Sequence, residues 1–141
     1  MFARQDTADK GGLLLLVTDY LSIPDAHYIN DPGVGARIGS AAVRSVMERA
    51  FSTREGILHV HQHEHSGPPR FSRIDRRELG KLIPSFHNLG GSAAHGALVF
   101  SLNNVTGLIW TTKQGPLQPI RKVSTVGYPL ETRTMGAGIY V

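Results

Sequence analysis

The sequence predicts an α/β domain, a mixed β-sheet flanked by helices, and three observations carry that prediction. Leu13–Val17 and His95–Leu102 are apolar runs of strand length rather than helix length. Two stretches, 40–52 and 72–83, repeat their apolar residues at helical spacing. Helices alternate with strands early in the chain, and strand-like segments dominate after residue 95.

In chain order, residues 1–12 read as a polar loop or frayed start closed by Gly11-Gly12. Leu13–Val17 fits a strand buried on both faces, with Pro24 marking its limit. Residues 24–37, rich in Pro, Gly, Asn and Asp, predict an irregular loop. Ser40–Ser52 is a helix with Ser40 as its cap and Val43, Val46, Met47 and Ala50 on one face. Gly56–His63 is the next strand. Ser72–Ile83 is the second helix, with Ser72 as N-cap, an apolar face of Ile74, Leu79, Leu82 and Ile83, and Pro84 ending or kinking it. His95–Leu102 and Leu108–Thr112 form a hairpin about a turn within 102–107, and Ile120–Val126 is a further β-prone segment. The tail, 127–141, has no clear period.

At 141 residues the chain predicts one domain, 1–141, large enough for a hydrophobic core. There is no cysteine, so disulfides and thiolate metal sites are excluded and any metal must be held by His and carboxylate. That usage suits a cytoplasmic protein. The longest apolar run is too short to span a membrane, and Met1–Lys10 lacks the apolar core of a signal peptide. A net charge of +4 with arginines at 70, 73, 76 and 77 raises nucleic-acid binding, but no stacking platform or known motif accompanies it. Arg73, Arg76 and Arg77 read first as a solvated helix face.

The chemistry concentrates in Ile57–Asp75, which holds His59, His61, His63 and His65, four of the seven histidines. Strand alternation puts all four on one face, roughly 6–7 Å apart. Gly67-Pro68-Pro69 then turns the chain, and Ser72-Arg73-Ile74-Asp75 starts a helix whose first turn can point Asp75 back at the strand end. Two imidazoles and a carboxylate make the ligand set of a catalytic zinc site with one open position. A histidine row also suits a polar strand face or an adventitious metal binder. The Ser-x-x-Asp at usable distance favours a built site.

His61-x-His63 followed by Ser72-x-x-Asp75 resembles the signature of the JAB/MPN metalloproteases, the JAMM-motif zinc isopeptidases. The order of elements is similar, and His61–Leu82 with the HGALVFS strand looks like the bacterial branch found beside E1-like adenylyltransferases and ubiquitin-like proteins. The resemblance covers most of 13–112. It implies a JAB/MPN-like sheet lacking the usual N-terminal helix and first strand, with Zn²⁺ on His61, His63 and Asp75. Ser72 would donate a hydrogen bond to the oxyanion or to the zinc-bound water. The substrate would be a ubiquitin-like protein or its conjugates. The spacing departs slightly: His63 to Ser72 leaves eight residues and His65 to Ser72 leaves six, with the family pattern between. His63 and His65 are therefore the alternative pair, and His63 is a ligand in both registers.

Family members also use a glutamate general base on a strand upstream of the one Leu13–Tyr20 resembles. The twelve residues before Leu13 contain no Glu, and Met1-Phe2-Ala3-Arg4 looks like the trailing end of that strand. Either the sequence starts late or the base is lacking. Asp6 and Asp9 fall in apparent loop, Glu64 points away by alternation, and Glu55 lies at the far end of the His strand. The expected function is a zinc-dependent peptidase or isopeptidase. The alternatives are a catalytically impaired MPN-type binding module and an unrelated metal-dependent hydrolase. Outside the motif, His95 reads as structural, His27 and His87 as surface loop residues, Trp110 as packing, Phe71 as an apolar plug before the helix, and Asn103-Asn104 as a turn.

Overall fold

The computed structural model describes residues 1–33, 35–127 and 131–134, without the side chains of 35, 36 and 131–134. In chain order the elements are β1 (Phe2–Thr7), β2 (Leu13–Asp19), β3 (Tyr28–Asp31), β4 (Gly35–Ile38), α1 (Ser40–Thr53) and β5 (Gly56–Gln62). They continue as α2 (Arg73–Phe86), β6 (His95–Phe100), β7 (Val105–Trp110), β8 (Gln118–Pro119), β9 (Lys122–Thr125) and β10 (Glu131–Thr134). The main sheet runs β2-β1-β5-β6-β7-β8, with β5 and β6 parallel and the other pairs antiparallel. β3-β4 and β9-β10 form two separate ribbons. The architecture is thus mixed α/β, as the periodicity predicts.

Period-two alternation divides the core. Phe2, Ile57, Ala97, Val99 and Leu108 point to one face and meet Ala50 of α1 and Leu79, Ile83 and Phe86 of α2. Their neighbours Ala3, Leu58, Leu98 and Ile109 point to the other face, where Ile120 and Val123 pack on them. Both helices therefore lie on one face, and the odd-numbered residues of β5 face them. A Cβ at Gly56 would collide with the Ala94 carbonyl, so the start of β5 needs glycine.

Six expectations are corrected. Residues 2–7 form a strand, because Phe2 and Ala3 bury their side chains and pair with Ile57 and Gly56. Asp6 accordingly sits on β1, opposite Leu14, and Asp9 in a short 3₁₀ turn. Leu13–Val17 is a strand but not an interior one: β2 is the sheet's edge, and Leu13, Leu14, Leu16 and Val17 are exposed. Within 24–37, Tyr28–Asp31 pairs with Gly35–Ile38 as a hairpin. Gly39, not Ser40, caps α1. Pro84 does not end α2 at 83, since the helix runs on to Phe86. The missing proline N–H falls in the last turn, where Ser85 Oγ donates to the Leu82 carbonyl. Ile120–Val126 narrows to β9, Lys122–Thr125, and Glu131–Thr134 of the tail pairs with it. Residues 128–130 and 135–141 of that tail lie outside the described residues. No helix among the described residues is long and apolar enough to cross a membrane.

Candidate metal centre

β5 carries the histidines on its helix-covered face, and its own neighbours hold the strand end in place. Past Gln62, His63 N–H still donates to the Phe100 carbonyl at 2.8 Å, extending the pairing with β6 by one residue. Leu102 N–H then donates to the His65 carbonyl at 3.0 Å. Gly67 is held from both sides: its N–H donates to Asn103 Oδ1 at 2.7 Å, and Ser101 Oγ donates to its carbonyl at 2.6 Å. The loop after the histidines is thereby tied to the β6–β7 turn. Asn103, read from sequence as a turn residue, also acts as an anchor, a role only the tertiary contact reveals.

The chain returns through buried Pro69 and Phe71 to the start of α2. Phe71 lies edge-on to the His61 ring, with centroids 6.2 Å apart. Ser72 caps the helix reciprocally. Its Oγ accepts from Asp75 N–H at 3.0 Å, and its own N–H donates to Asp75 Oδ2 at 2.6 Å. This box satisfies two free helix N–H groups and fixes the carboxylate. One Asp75 oxygen is spent on the cap. The other, Oδ1, stands 3.8 Å from His61 Nε2.

One ligand atom each from His61, His63 and Asp75 all lie within 4.8 Å of one another. A tetrahedral ion about 2.0–2.1 Å from each would set such atoms roughly 3.4 Å apart, so the group needs only a small contraction. His61 Nε2 is buried and has no hydrogen-bond partner. An orphaned buried ring nitrogen facing a carboxylate is costly unless something fills the gap, and a divalent cation does so. The donor set, two imidazoles and a carboxylate, fits zinc.

Electrostatics prepare the same group. Burial pushes the His61 imidazole below its ordinary pKa, against the raising effect of Asp75 and with a further lowering by His63. The ring is therefore neutral at pH 7, the state a ligand needs. Burial raises the pKa of Asp75, but the Ser72 hydrogen bonds and then His61 and His63 outweigh it, and the carboxyl is held low and ionised. His59, one step back on the same face, is pushed down to about 4 by burial and by His61. Its ring is 5.9 Å from that of His61, and it does not join the ligand group.

The other residues singled out from sequence fall as follows. His65, of the alternative register, is exposed, with Nδ1 3.0 Å from the Ser66 carbonyl oxygen, and is outside the three-residue group. Glu64 is exposed. Glu55 is buried at the opposite end of β5, where it accepts from Thr18 Oγ1 at 2.7 Å and faces Arg4 at 3.6 Å. His95 is structural: its Nδ1 accepts the Ile57 N–H at 3.0 Å, and burial pushes its pKa to about 4. His87 is corrected from a surface loop residue. Its ring packs at right angles on His95 with centroids 4.6 Å apart, and its Nε2 is buried. Trp110 packs beside the helix-side core.

No family model matches the chain, and comparison with curated proteins and with solved structures finds no match either.

Proposed function

We propose that this chain is a zinc-dependent peptidase or isopeptidase of JAB/MPN type, hydrolysing an amide bond at the tail of a ubiquitin-like protein or removing that protein from a target. The observation that carries the reading is the convergence of His61, His63 and Asp75 behind a Ser-x-x-Asp capping box, with His61 Nε2 left unpartnered. His61, His63 and Asp75 are the residues that would hold the metal. When bound, the zinc supplies Lewis acidity that polarises an amide carbonyl. Ser72 has a second task beyond its cap. Its oxygen already accepts from Asp75 N–H, so its hydroxyl proton is free to be donated to the developing oxyanion. Asp75 stays ionised through Ser72 N–H and the N-terminal end of α2, which keeps the ligand set charged at neutral pH. An E1-like adenylyltransferase encoded with such a protein is a partner consistent with the resemblance.

A second reading, an MPN-type binding module that retains metal without turnover, is favoured by one observation. Neither glutamate near the motif is placed as a general base: Glu55 is engaged by Thr18 and Arg4, and Glu64 is exposed. Loss of such a base typically slows catalysis by about 10²–10⁴-fold.

The deciding experiment is elemental analysis of the purified protein beside His63→Ala and Asp75→Ala, followed by cleavage of a ubiquitin-like protein carrying a C-terminal extension. About one zinc per chain, lost in both variants, with cleavage, supports the enzyme. Zinc without cleavage supports the binding module. A folded wild-type chain that takes up no zinc refutes both.

A further inference from the structure

The histidine row continues past the ligand group. His65 lies in the bend just beyond β5, next to His63 and outside the set formed by His61, His63 and Asp75. Exposure falls along the row in one direction. His65 is exposed, His63 and His61 are half-buried, and His61 Nε2 is buried completely. A hydrated ion arriving from solvent meets His65 first and His61 Nε2 last.

Two features equip His65 as a ligand. The first is its ring orientation. Its Nδ1 stands 3.0 Å from the Ser66 carbonyl oxygen. A carbonyl only accepts, so Nδ1 carries the proton, and in the neutral ring the bare lone pair falls on Nε2. Metal-binding histidines are arranged in this way, with the second ring nitrogen donating to a carbonyl or a carboxylate. The second feature is spacing. Two imidazoles on one tetrahedral ion, with nitrogen–metal bonds of about 2.0–2.1 Å, place their ring centres roughly 5 Å apart. The rings of His61 and His63 are 5.1 Å apart between centroids, and those of His63 and His65 5.6 Å. His63 is thus within chelating distance of a neighbour on each side. The backbone holds that spacing: His63 N–H donates to the Phe100 carbonyl at 2.8 Å, and the His65 carbonyl accepts from Leu102 N–H at 3.0 Å.

We propose that His63 and His65 form an entry site for the divalent cation, distinct from the resident set of His61, His63 and Asp75. His65 takes the ion from water, His63 holds it through the exchange, and His61 and Asp75 then replace His65. Because ligands are exchanged one at a time, the ion is never without partners as it leaves water, where the cost of an unpaired charge is high. The role rests on the ligand set proposed above, but it has its own signature. An entry ligand lies on the path in both directions, so it lowers the barrier to uptake and to loss by the same amount. Equilibrium affinity depends only on the end states and is indifferent to it. A resident ligand changes the affinity itself.

Stopped-flow zinc transfer with the full chain, stripped of metal, tests the entry site. Uptake is followed from a fluorescent zinc indicator, loss into excess chelator, and affinity by competition with the indicator at equilibrium. His65→Ala and His65→Phe are expected to slow uptake and loss equally, on the order of tenfold each, with Kd unchanged. His65→Asp restores an exposed oxygen ligand and is expected to recover the wild-type rates. His27→Ala, at an exposed histidine in the 3₁₀ turn before β3, is the control and should leave both rates unaltered. Unchanged rates in His65→Ala and His65→Phe overturn the proposal and leave the resident site standing. So does a His65→Asp chain no faster than His65→Phe, or a weakened affinity in His65→Ala, which would make His65 a resident ligand. A folded wild type that takes up no zinc overturns the entry site and the hydrolase reading together.

Discussion

Two histidine pairs sit at opposite ends of the parallel strands β5 and β6, and they use the same residue type in opposite ways. At one end, His95 opens β6 with its Nδ1 filled by the Ile57 N–H, and His87 leans on its ring. At the other end, His61 and His63 close β5, with His61 Nε2 unfilled and an ionised Asp75 3.8 Å away. Burial keeps both His95 and His61 neutral. His87 too leaves a buried Nε2 without a partner, but among the described residues no carboxylate joins it in a ligand group. Burial and a free ring nitrogen are therefore not what makes a histidine pair a candidate ligand set. The difference is the carboxylate, and the carboxylate is delivered by a helix cap.

The strongest way to break the comparison is to remove that carboxylate in two styles. Asp75→Ala removes the ligand and the carboxylate half of the capping box, while Ser72 Oγ still accepts from the N–H of residue 75: it is expected to weaken zinc binding by at least about 100-fold and to cost roughly 1 kcal/mol of stability. Asp75→Asn keeps an oxygen for the Ser72 N–H, so it should lose the metal with far less loss of stability. Zinc titration beside chemical denaturation separates the two, and equal destabilisation by both variants would show that the cap is not what orients the ligand.

The opposite pair should fail differently. His95→Ala leaves the Ile57 N–H buried without an acceptor and opens space beside Phe86, so unfolding should cost about 2–4 kcal/mol less while zinc binding is unchanged. A loss of metal in that variant would mean the two ends are mechanically coupled.

The pH dependence follows with its sign. His95 titrates near 4 in the folded chain and near 6.5 when unfolded. Below 6.5 the unfolded state takes up the proton first, so stability from this residue is full above pH 6.5 and lost as the pH falls toward 4, by up to about 3 kcal/mol. His95→Gln should flatten the stability profile in that window, as followed by denaturant midpoints at each pH.

The smallest effect sharpens the metal end alone. Asn103→Ala frees the Gly67 N–H at the surface, at a cost of about 0.5–1 kcal/mol. Because this contact ties down the loop after His63, zinc affinity should fall by up to about tenfold. Unchanged affinity would show that the His63 N–H bond to Phe100 suffices to hold the ligand.

Much of this is legible in the sequence. Alternation in Gly56–Gln62 placed the histidines on one face, Ser72-x-x-Asp75 announced a cap, and Val43, Val46, Met47 and Leu79, Leu82, Ile83 marked both helices. What misled was composition read without neighbours. Leu13–Val17 looks buried, but burial depends on what stands beside a strand. Phe2 and Ala3 look like part of a polar start until Ile57 and Gly56 are placed opposite them. His87 looks like a loop histidine until β6 brings His95 under it.

The sequence by itself therefore determined the local devices: periods, turns, the capping box, and the restriction of any metal site to imidazole and carboxylate by the absence of cysteine. Those are set by residues a few positions apart. Only the tertiary structure decided which strand became the edge, which histidines found hydrogen-bond partners, and that Asp75 reaches His61 rather than water. The physical reason is that burial and hydrogen-bond satisfaction are properties of groups far apart in the chain, such as Ile57 and His95, whose meeting no local pattern encodes.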